Sequence, residues 1–393
     1  MNEVFVVSAV RTAIGDFGGS LRDVAPARLA TSVTAEAVRR SGIAADAIGH
    51  VVFGQVIPTE PNDAYLARIA ALNAGLPQSV PAMTLNRLCG SGLQAALSAA
   101  QAIMLGDTDI ALAGGAESMS RAPFLSNSMR WGSRMGDAVL LDGLTGALTD
   151  PFHKILMGVT AENVAQRHDI SRAEQDALAL ESHRRAAAAI AQGRFKEQIL
   201  PLEVKAKGKA SVFDQDEHVR ADVSAEELAG LRTLFKKEGG SVTAGNASGI
   251  NDGAAALVLA SGNAVREHGL RPLARLVSYA HAGVDPAYMG IGPVPATRQA
   301  LQRAGLRVAD LDVIESNEAF AAQACAVSGL LDLDPQKVNP NGSGISLGHP
   351  VGATGAVNTV KLVYEMQRRN ARYGLVTMCI GGGQGIAAIF ERM

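Results

Sequence analysis

Cys89 stands in Asn86-Arg87-Leu88-Cys89-Gly90-Ser91-Gly92, directly ahead of an apolar-periodic stretch from Leu93 to Leu105 that stops at Gly106-Asp107. A helix starting there sets its free N–H groups and the positive end of its dipole against the sulfur. That arrangement favours thiolate over thiol and lowers the pKa from ~8.5. The flanking glycines clear space around a reacting sulfur, so the chemistry indicated is nucleophilic attack; the alternative is a small buried hydrophobe. His349 lies in the stretch Asn341 to Gly355, which holds five glycines. Such a loop lets backbone approach a ligand closely, and a His on it is positioned rather than packed, although a lone loop His also serves as a solvated or capping residue. Cys379 ends an apolar run and enters Ile380-Gly381-Gly382-Gly383-Gln384-Gly385. The spacing is not G-x-G-x-x-G and no long helical pattern follows, which sets dinucleotide binding aside. A thiol at the carboxyl end of a strand, beside glycine amides free to donate to an oxyanion, is the better reading.

Other candidates carry less. Asn317 and Glu318 follow a strand-like run and open a helical one, where Asn is either a helix cap or an amide that orients a water or an oxyanion. Cys325 sits inside the helical Ala319 to Val327 with no glycine beside it and is assigned to packing. His168, His183, His218 and His268 fall among charged residues and read as surface. The thiols are 236 and 54 positions apart and no C-x-x-C occurs, so no metal site is expected. Serine-elbow, kinase and Walker patterns are absent.

The elements that must position these residues alternate. Val4 to Ser8, Val51 to Val56, Ile110 to Ala113, Leu257 to Ala260, Val313 to Glu315 and Leu375 to Cys379 read as strands apolar on both faces, with Ala-rich helices between them. This is the pattern of an α/β fold with a buried sheet. Gly42 to Gly54 reads like Gly305 to Glu315, and Cys89 to Gly115 like Gly348 to Gly383, in the same order, which predicts two related α/β halves. Between them the composition changes, with Met and Arg around Met129 to Met135, charged helices, and the Lys205-Ala206-Lys207-Gly208-Lys209 loop. Residues 194 to 240 carry nine Lys/Arg and nine Asp/Glu, so a solvated surface is expected there rather than a nucleic-acid site. The division predicted is 1–119 as the first part of an N-terminal half, 120–245 as an inserted loop domain, 246–270 returning to the N-terminal half, and 271–393 as the C-terminal half.

Composition bounds what such a protein can do. At roughly 150 residues per domain, 393 residues make two or three domains. A net charge of -2 supplies no global field for nucleic acid or an anionic membrane, so an anionic ligand must be held locally. Gly reaches 42 residues against a usual ~7%, while aromatics are only 4%, so the core is built from Ala, Val, Leu and Ile with backbones packed closely. Mean hydropathy is +0.12, and no apolar run is expected to reach the ~18 to 20 residues that span a bilayer. The start, Met1-Asn2-Glu3 into Val4, has no leader pattern, and three cysteines cannot be a disulfide framework. Both point to the cytoplasm.

Taken together, Asn86 to Gly92, Asn317-Glu318-Ala319-Phe320, Gly348-His349-Pro350 and Cys379 to Gly385 resemble the four motifs of the thiolase family. The resemblance runs over the whole chain through Ala116 to Ser120, Met157 to Asn163, Thr243 to Gly249 and Gly290 to Pro295, and is to the bacterial β-ketothiolases, the acetyl-CoA acetyltransferases, in particular. It implies a thiolase-like layered αβαβα core of two similar halves with an inserted, CoA-binding loop domain. The activity implied is reversible Claisen condensation of acyl-CoA with acetyl-CoA by a ping-pong route through an S-acyl cysteine. By the same resemblance Cys89 is the nucleophile, His349 its base and Cys379 the acid/base at the α-carbon. A water held by Asn317, together with His349, would form one oxyanion hole, and the amides of Cys89 and Gly381 the other. Met157, Arg220, Ala244, Ser248, Met289, Ala319 and Phe320 match CoA-binding positions, with Ser248 at the pantetheine and Arg220 at the adenosine end. CoA thioesters are substrates rather than resident cofactors, and the partners implied are acetyl-CoA, acyl-CoA, CoA and a second copy of the chain, in a homodimer or homotetramer. Leu156 stands where short-chain acetoacetyl-CoA enzymes usually have His; by the resemblance that position lines the acyl and pantetheine region, so its apolar side chain implies acceptance of five-carbon and longer β-ketoacyl chains. Rival readings are a decarboxylating β-ketoacyl synthase and a non-catalytic acyl-CoA or lipid carrier on the same fold.

Overall fold

The computed structural model describes residues 2–206 and 209–393. Lys207 and Gly208 of the Lys-rich loop lie outside the described residues. The principal strands are β1 (Val4–Thr12), β2 (His50–Gly54), β3 (Ala82–Leu85), β4 (Ile110–Ser118), β5 (Asn251–Ser261), β6 (Ala274–Gly283), β7 (Val313–Ser316), β8 (Tyr373–Ile380) and β9 (Gln384–Arg392). The helices that matter for the site are α1 (Pro26–Ser41), α2 (Ser91–Leu105), α3 (Met157–Arg167), α4 (Arg172–Ala191), α5 (Pro293–Ala304), α6 (Ala321–Leu331) and α7 (Thr354–Arg369).

All nine strands join one eleven-stranded sheet in the order β7-β8-β9-β6-β1-β5-β4-β2-β3, the two further members being short. Its halves repeat. β2 runs parallel to β4, β4 antiparallel to β5 and β5 antiparallel to β1. β7, β8, β9 and β6 follow with the same senses. The seam is narrow, two antiparallel pairs at Phe5↔Arg275 and Val6↔Ala274. β1, β4 and β5 are buried along their whole length, as the apolar runs with no alternation anticipate. β6 alternates buried and half-buried positions, the mark of one covered face.

Helices α2 and α7 pack on each other and on strands of the sheet, and most of their residues are buried. They cross where both chains lack a side chain: a Cβ on Gly92 would lie 2.5 Å from the Ala356 nitrogen, and one on Gly355 would lie 2.2 Å from that of Leu93. This burial revises one expectation. The stretch Leu88–Leu105 does reach 18 residues at a mean hydropathy of 1.3, enough by length and composition to cross a bilayer, because a helix covered on nearly every side is apolar nearly all round. Lys361, also on α7, is buried only because its Nζ pairs with Glu315 of β7 at 2.6 Å and donates to the Gly342 carbonyl at 2.7 Å.

The segment between the halves is pinned to the sheet by one bidentate pair. Arg11 of β1 donates to both oxygens of Asp216, at 2.7 and 2.9 Å, with neither side chain exposed. The Ile14 amide adds a third bond to the same carboxylate. Two expectations about histidines fail here. His183 of α4 is buried, its Nδ1 accepting the Arg220 amide at 3.1 Å, and His218 is largely covered, bonded through Nδ1 to Asp16. Both are enclosed where the inserted segment packs down, a contact between residues far apart in the chain. His268 is exposed and His168 half-buried.

Candidate functional site

The nucleophile candidate is held by a strained turn. Leu88 takes φ +46°, the left-handed region that costs a branched residue about 1–2 kcal/mol. Local bonds hold it there: Leu88 N donates to Asn86 Oδ1 at 2.9 Å, and the Ser91 hydroxyl donates back to the Leu88 carbonyl at 2.7 Å while accepting from Arg87 N at 2.8 Å. Cys89 follows, half-buried, one residue before the Gly90 that caps α2. Its own amide and that of Gly381, at the end of β8, lie against the sulfur and favour its charged form. Desolvation outweighs them, and the Glu117 carboxylate opposes them too, so the thiol is pushed up to about 11. The expected lowering by the helix terminus is therefore overturned: the apolar walls around the sulfur cost the thiolate more than two amides return, and Cys89 needs a base.

His349 offers a basic nitrogen in the same cavity. Its Nδ1 lies 2.7 Å from the Thr354 hydroxyl, which spends its one proton on the Pro350 carbonyl at 2.9 Å. The hydroxyl is therefore an acceptor toward the ring, Nδ1 carries the hydrogen, and Nε2 presents a lone pair. That Nε2 is buried with no partner among the described residues, and the ring lines the same cavity as Cys89. Burial holds the imidazole down to about 4, so it stays neutral at ordinary pH. The backbone is fixed by Asn251 of β5, whose Oδ1 accepts from His349 N at 2.9 Å and whose Nδ2 donates to Gly15 O at 3.1 Å. Gly348 adopts φ +105°, and a Cβ there would sit 2.5 Å from Asn251 Cγ, so only glycine passes.

Cys379, near the end of β8, is fully buried and clusters with Met157, Met289 and Ala319, which face the cavity. Burial, and then the nearby Cys89, raise its pKa, so it rests as a neutral thiol. Asn317 is buried, with neither amide atom bonded among the described residues, and α6 begins after Phe320. It is therefore not a helix cap, and the orienting alternative stands. Cys325 is half-buried on α6, its sulfur 4.0 Å from the Glu174 carbonyl, in keeping with packing.

The cavity, of about 60 Å³, gathers Cys89, His349 and Gly381 with Met157, Ser248, Met289, Ala319 and Phe320. Arg220 and Ala244 are not in it. Arg220 is exposed at the rim of a second hollow with Leu228 and Leu231, and Ala244 is exposed beside Gly245, which packs on those two leucines. Leu156 does not line the cavity: it caps α3 and stays 40% exposed, because the helix turns Met157 inward instead. The remaining wall, Val56, Leu88, Ala147, Leu148 and Val351, was not anticipated. Only Leu88 had a signal, its place beside Cys89.

The chain matches two family models in sequence, Thiolase, N-terminal domain over residues 4–263 and Thiolase, C-terminal domain over residues 270–392. It is 66% identical over 391 residues to Beta-ketothiolase BktB of Cupriavidus necator, covering 100% of this chain and 99% of that one. It is 50% identical over 399 residues to an acetyl-CoA acetyltransferase of Syntrophomonas wolfei, with the same coverage. Among solved structures, the Bacillus anthracis acetyl-CoA acetyltransferase superposes with a TM-score of 0.98 at 49% identity, covering 100% of this chain and 99% of that one. Human mitochondrial 3-ketoacyl-CoA thiolase in complex with CoA superposes with a TM-score of 0.97 at 44% identity, covering 100% and 98%.

Proposed function

The chain belongs to the thiolase family, and from that membership we propose that Cys89 is its nucleophile, His349 the base that activates it and Cys379 the acid/base at the substrate α-carbon. The protein is an acyltransferase, a β-ketothiolase or acetyl-CoA acetyltransferase, interconverting acyl-CoA plus acetyl-CoA with β-ketoacyl-CoA plus CoA. The observation that carries the assignment is the unpaired, neutral Nε2 of His349 in the cavity it shares with Cys89.

In thiolysis, Nε2 takes the Cys89 proton as the sulfur bonds to the β-carbonyl carbon. The resulting oxyanion is met by the amides of Cys89 and Gly381, the pair that already lies against the sulfur. The Cα–Cβ bond then breaks, and its electrons pass to an acetyl-CoA enolate. Asn317 and His349 stabilise this enolate, and the neutral Cys379 thiol gives a proton to its α-carbon. Free CoA finally gives its thiol proton to the Cys379 thiolate and its sulfur takes the acyl group, so that Cys89 leaves as a thiolate and recovers its proton from His349. Condensation is the reverse, with Cys379 removing the α-proton. One cysteine cannot be both covalent carrier and free acid, which is why two are needed.

Met157, Ser248, Met289, Ala319 and Phe320 hold the pantetheine arm, and the second hollow with Arg220 takes the adenosine end, with Ala244 on the path between. These groups come from the inserted segment 120–245 and from both flanking halves. The apolar wall of Val56, Leu88, Ala147, Leu148 and Val351 suits short to medium acyl chains, and with the likeness to BktB it supports a place in polyhydroxyalkanoate precursor synthesis or fatty-acid metabolism. Self-association to a homodimer or homotetramer is supported by two surfaces. One is β3, the sheet edge, with Met83 exposed; the other is the segment carrying Phe124, Trp131 and Met135 outward. The compartment proposed is the cytoplasm.

Mass spectrometry of the protein incubated with acetyl-CoA tests the assignment. Wild type and Cys379→Ser should carry acetyl on Cys89 and release CoA, Cys89→Ser should do neither, and Cys379→Ser should fail in condensation. Equal loss of acylation and condensation in Cys379→Ser would refute the division of labour.

A further inference from the structure

Glu117, on β4 beneath the cavity, is fully buried and takes no part in the mechanism above. Its carboxylate accepts three backbone amides from two separate segments. Oε2 takes Val56 N at 2.9 Å and Gly352 N at 2.9 Å, and Oε1 takes Ile57 N at 3.2 Å. Val56 and Val351 belong to the apolar wall of the cavity, and they pack in one cluster with Ile57, Met119 and the half-buried Leu88, Cys89, Ala147 and Leu148. One carboxylate therefore ties the segment after β2 to the loop before α7, and both present a valine to the chain that Cys89 would carry. Among the described residues no lysine or arginine bonds to the carboxylate, so its offset against burial there is these three amides.

Resting on the acyl-transfer reading above, we propose that Glu117 is a positioning residue for acyl selectivity: it clasps the Val56 and Val351 sides of the cavity together and so limits the length of acyl chain accepted on Cys89. Without the clasp, three buried amides lose their acceptor and the two segments are free to part, which admits longer chains while loosening the fit to acetyl. Gln at this position keeps one oxygen for Val56 and Gly352 but turns an NH2 toward Ile57 N–H. Its effect is accordingly the smaller one.

The test is thiolysis of acetoacetyl-CoA, 3-ketovaleryl-CoA and 3-ketohexanoyl-CoA, comparing kcat/KM for the longest with that for the shortest. Glu117→Gln should raise that ratio about threefold and Glu117→Ala about tenfold, the latter the low end of what a single methylene is worth in an apolar pocket. Equal falls on all three substrates would overturn the proposal and leave Glu117 a purely structural residue. Should Glu117→Ala not fold, Val56→Ala and Val351→Ala shorten the wall with the clasp intact, and an unchanged ratio in both would overturn it equally. Wild type that fails to cleave acetoacetyl-CoA at all would instead defeat the acyl-transfer reading on which the proposal rests.

Discussion

Replacing Thr354 by Val isolates the tautomer of the base. Thr354 opens α7 and does not line the cavity, so the change leaves substrate contacts alone. Its hydroxyl is the acceptor for the Nδ1 hydrogen of His349, 2.7 Å away in a fully enclosed site. Val has nearly the same shape and cannot accept, so the Nδ1–H tautomer keeps a buried donor without a partner, at a cost of about 1–3 kcal/mol. The other tautomer escapes that cost by putting its hydrogen on Nε2, where it can no longer take the Cys89 proton. At about 1.4 kcal/mol per factor of ten, the competent fraction, and with it the acylation rate, should fall about 5- to 100-fold. KM for acetyl-CoA should move little, because no group in contact with substrate has changed. The assay is single-turnover acetylation of Cys89, with 15N shifts of the ring reporting the tautomer directly. Thr354→Ser keeps the hydroxyl and should stay within a few-fold of wild type. A Thr354→Val enzyme that acylates at the wild-type rate, or a Ser variant as slow as Val, would refute the reasoning.

Two further outcomes are expected. Because His349 is held down to about 4, the acid limb of kcat/KM for acylation should fall near pH 4 rather than near the 6.5 of a free imidazole, and a midpoint at 6.5 would show a solvated ring. The same shift makes stability fall as pH drops from about 6.5 through 4, since only the unfolded chain binds the proton in that window. Asp216→Ala leaves the Arg11 guanidinium buried without its partner and should cost about 3–5 kcal/mol, seen as a fall in Tm of several degrees; a variant as stable as wild type would mean that the inserted segment is anchored elsewhere.

How much of this was legible in the sequence varies residue by residue. The apolar runs at β1, β4, β5, β7 and β8 are near-continuous, so they read directly, though the strands extend past them. β3, β6 and β9 were missed: β3 is a short, partly exposed edge strand, β6 buries the weakly apolar Ala274, Ser278 and Ala280 opposite Arg275, Tyr279 and His281, and β9 begins inside the glycine-rich turn that follows Cys379. Cys89, His349 and Cys379 were found because a reactive group among glycines is a local pattern, whereas Met157, Met289 and the place of Gly381 came only from the resemblance to the thiolases. Glu117, Thr354 and Asn251 were not singled out, because a buried polar residue looks like a surface one until its partners are known. Arg220 and Ala244 were named with the cavity residues, but the fold sets them at or beside a second hollow.

By itself the sequence determined which groups are available and the local frame of each: a thiol one turn ahead of a helix, an imidazole in a glycine loop, a thiol at a strand end. Their protonation was decided by the tertiary structure alone. The helix terminus at Cys89 is local and argues for a thiolate, but the groups that enclose the sulfur, Val351 and Gly381 among them, arrive from more than 250 residues away. Desolvation depends on all neighbours at once, whatever their place in the chain, and it outweighs the local dipole here. The same enclosure keeps His349 neutral, so one physical cause raises the acid and lowers the base, and the pair stays uncharged until a substrate enters between them.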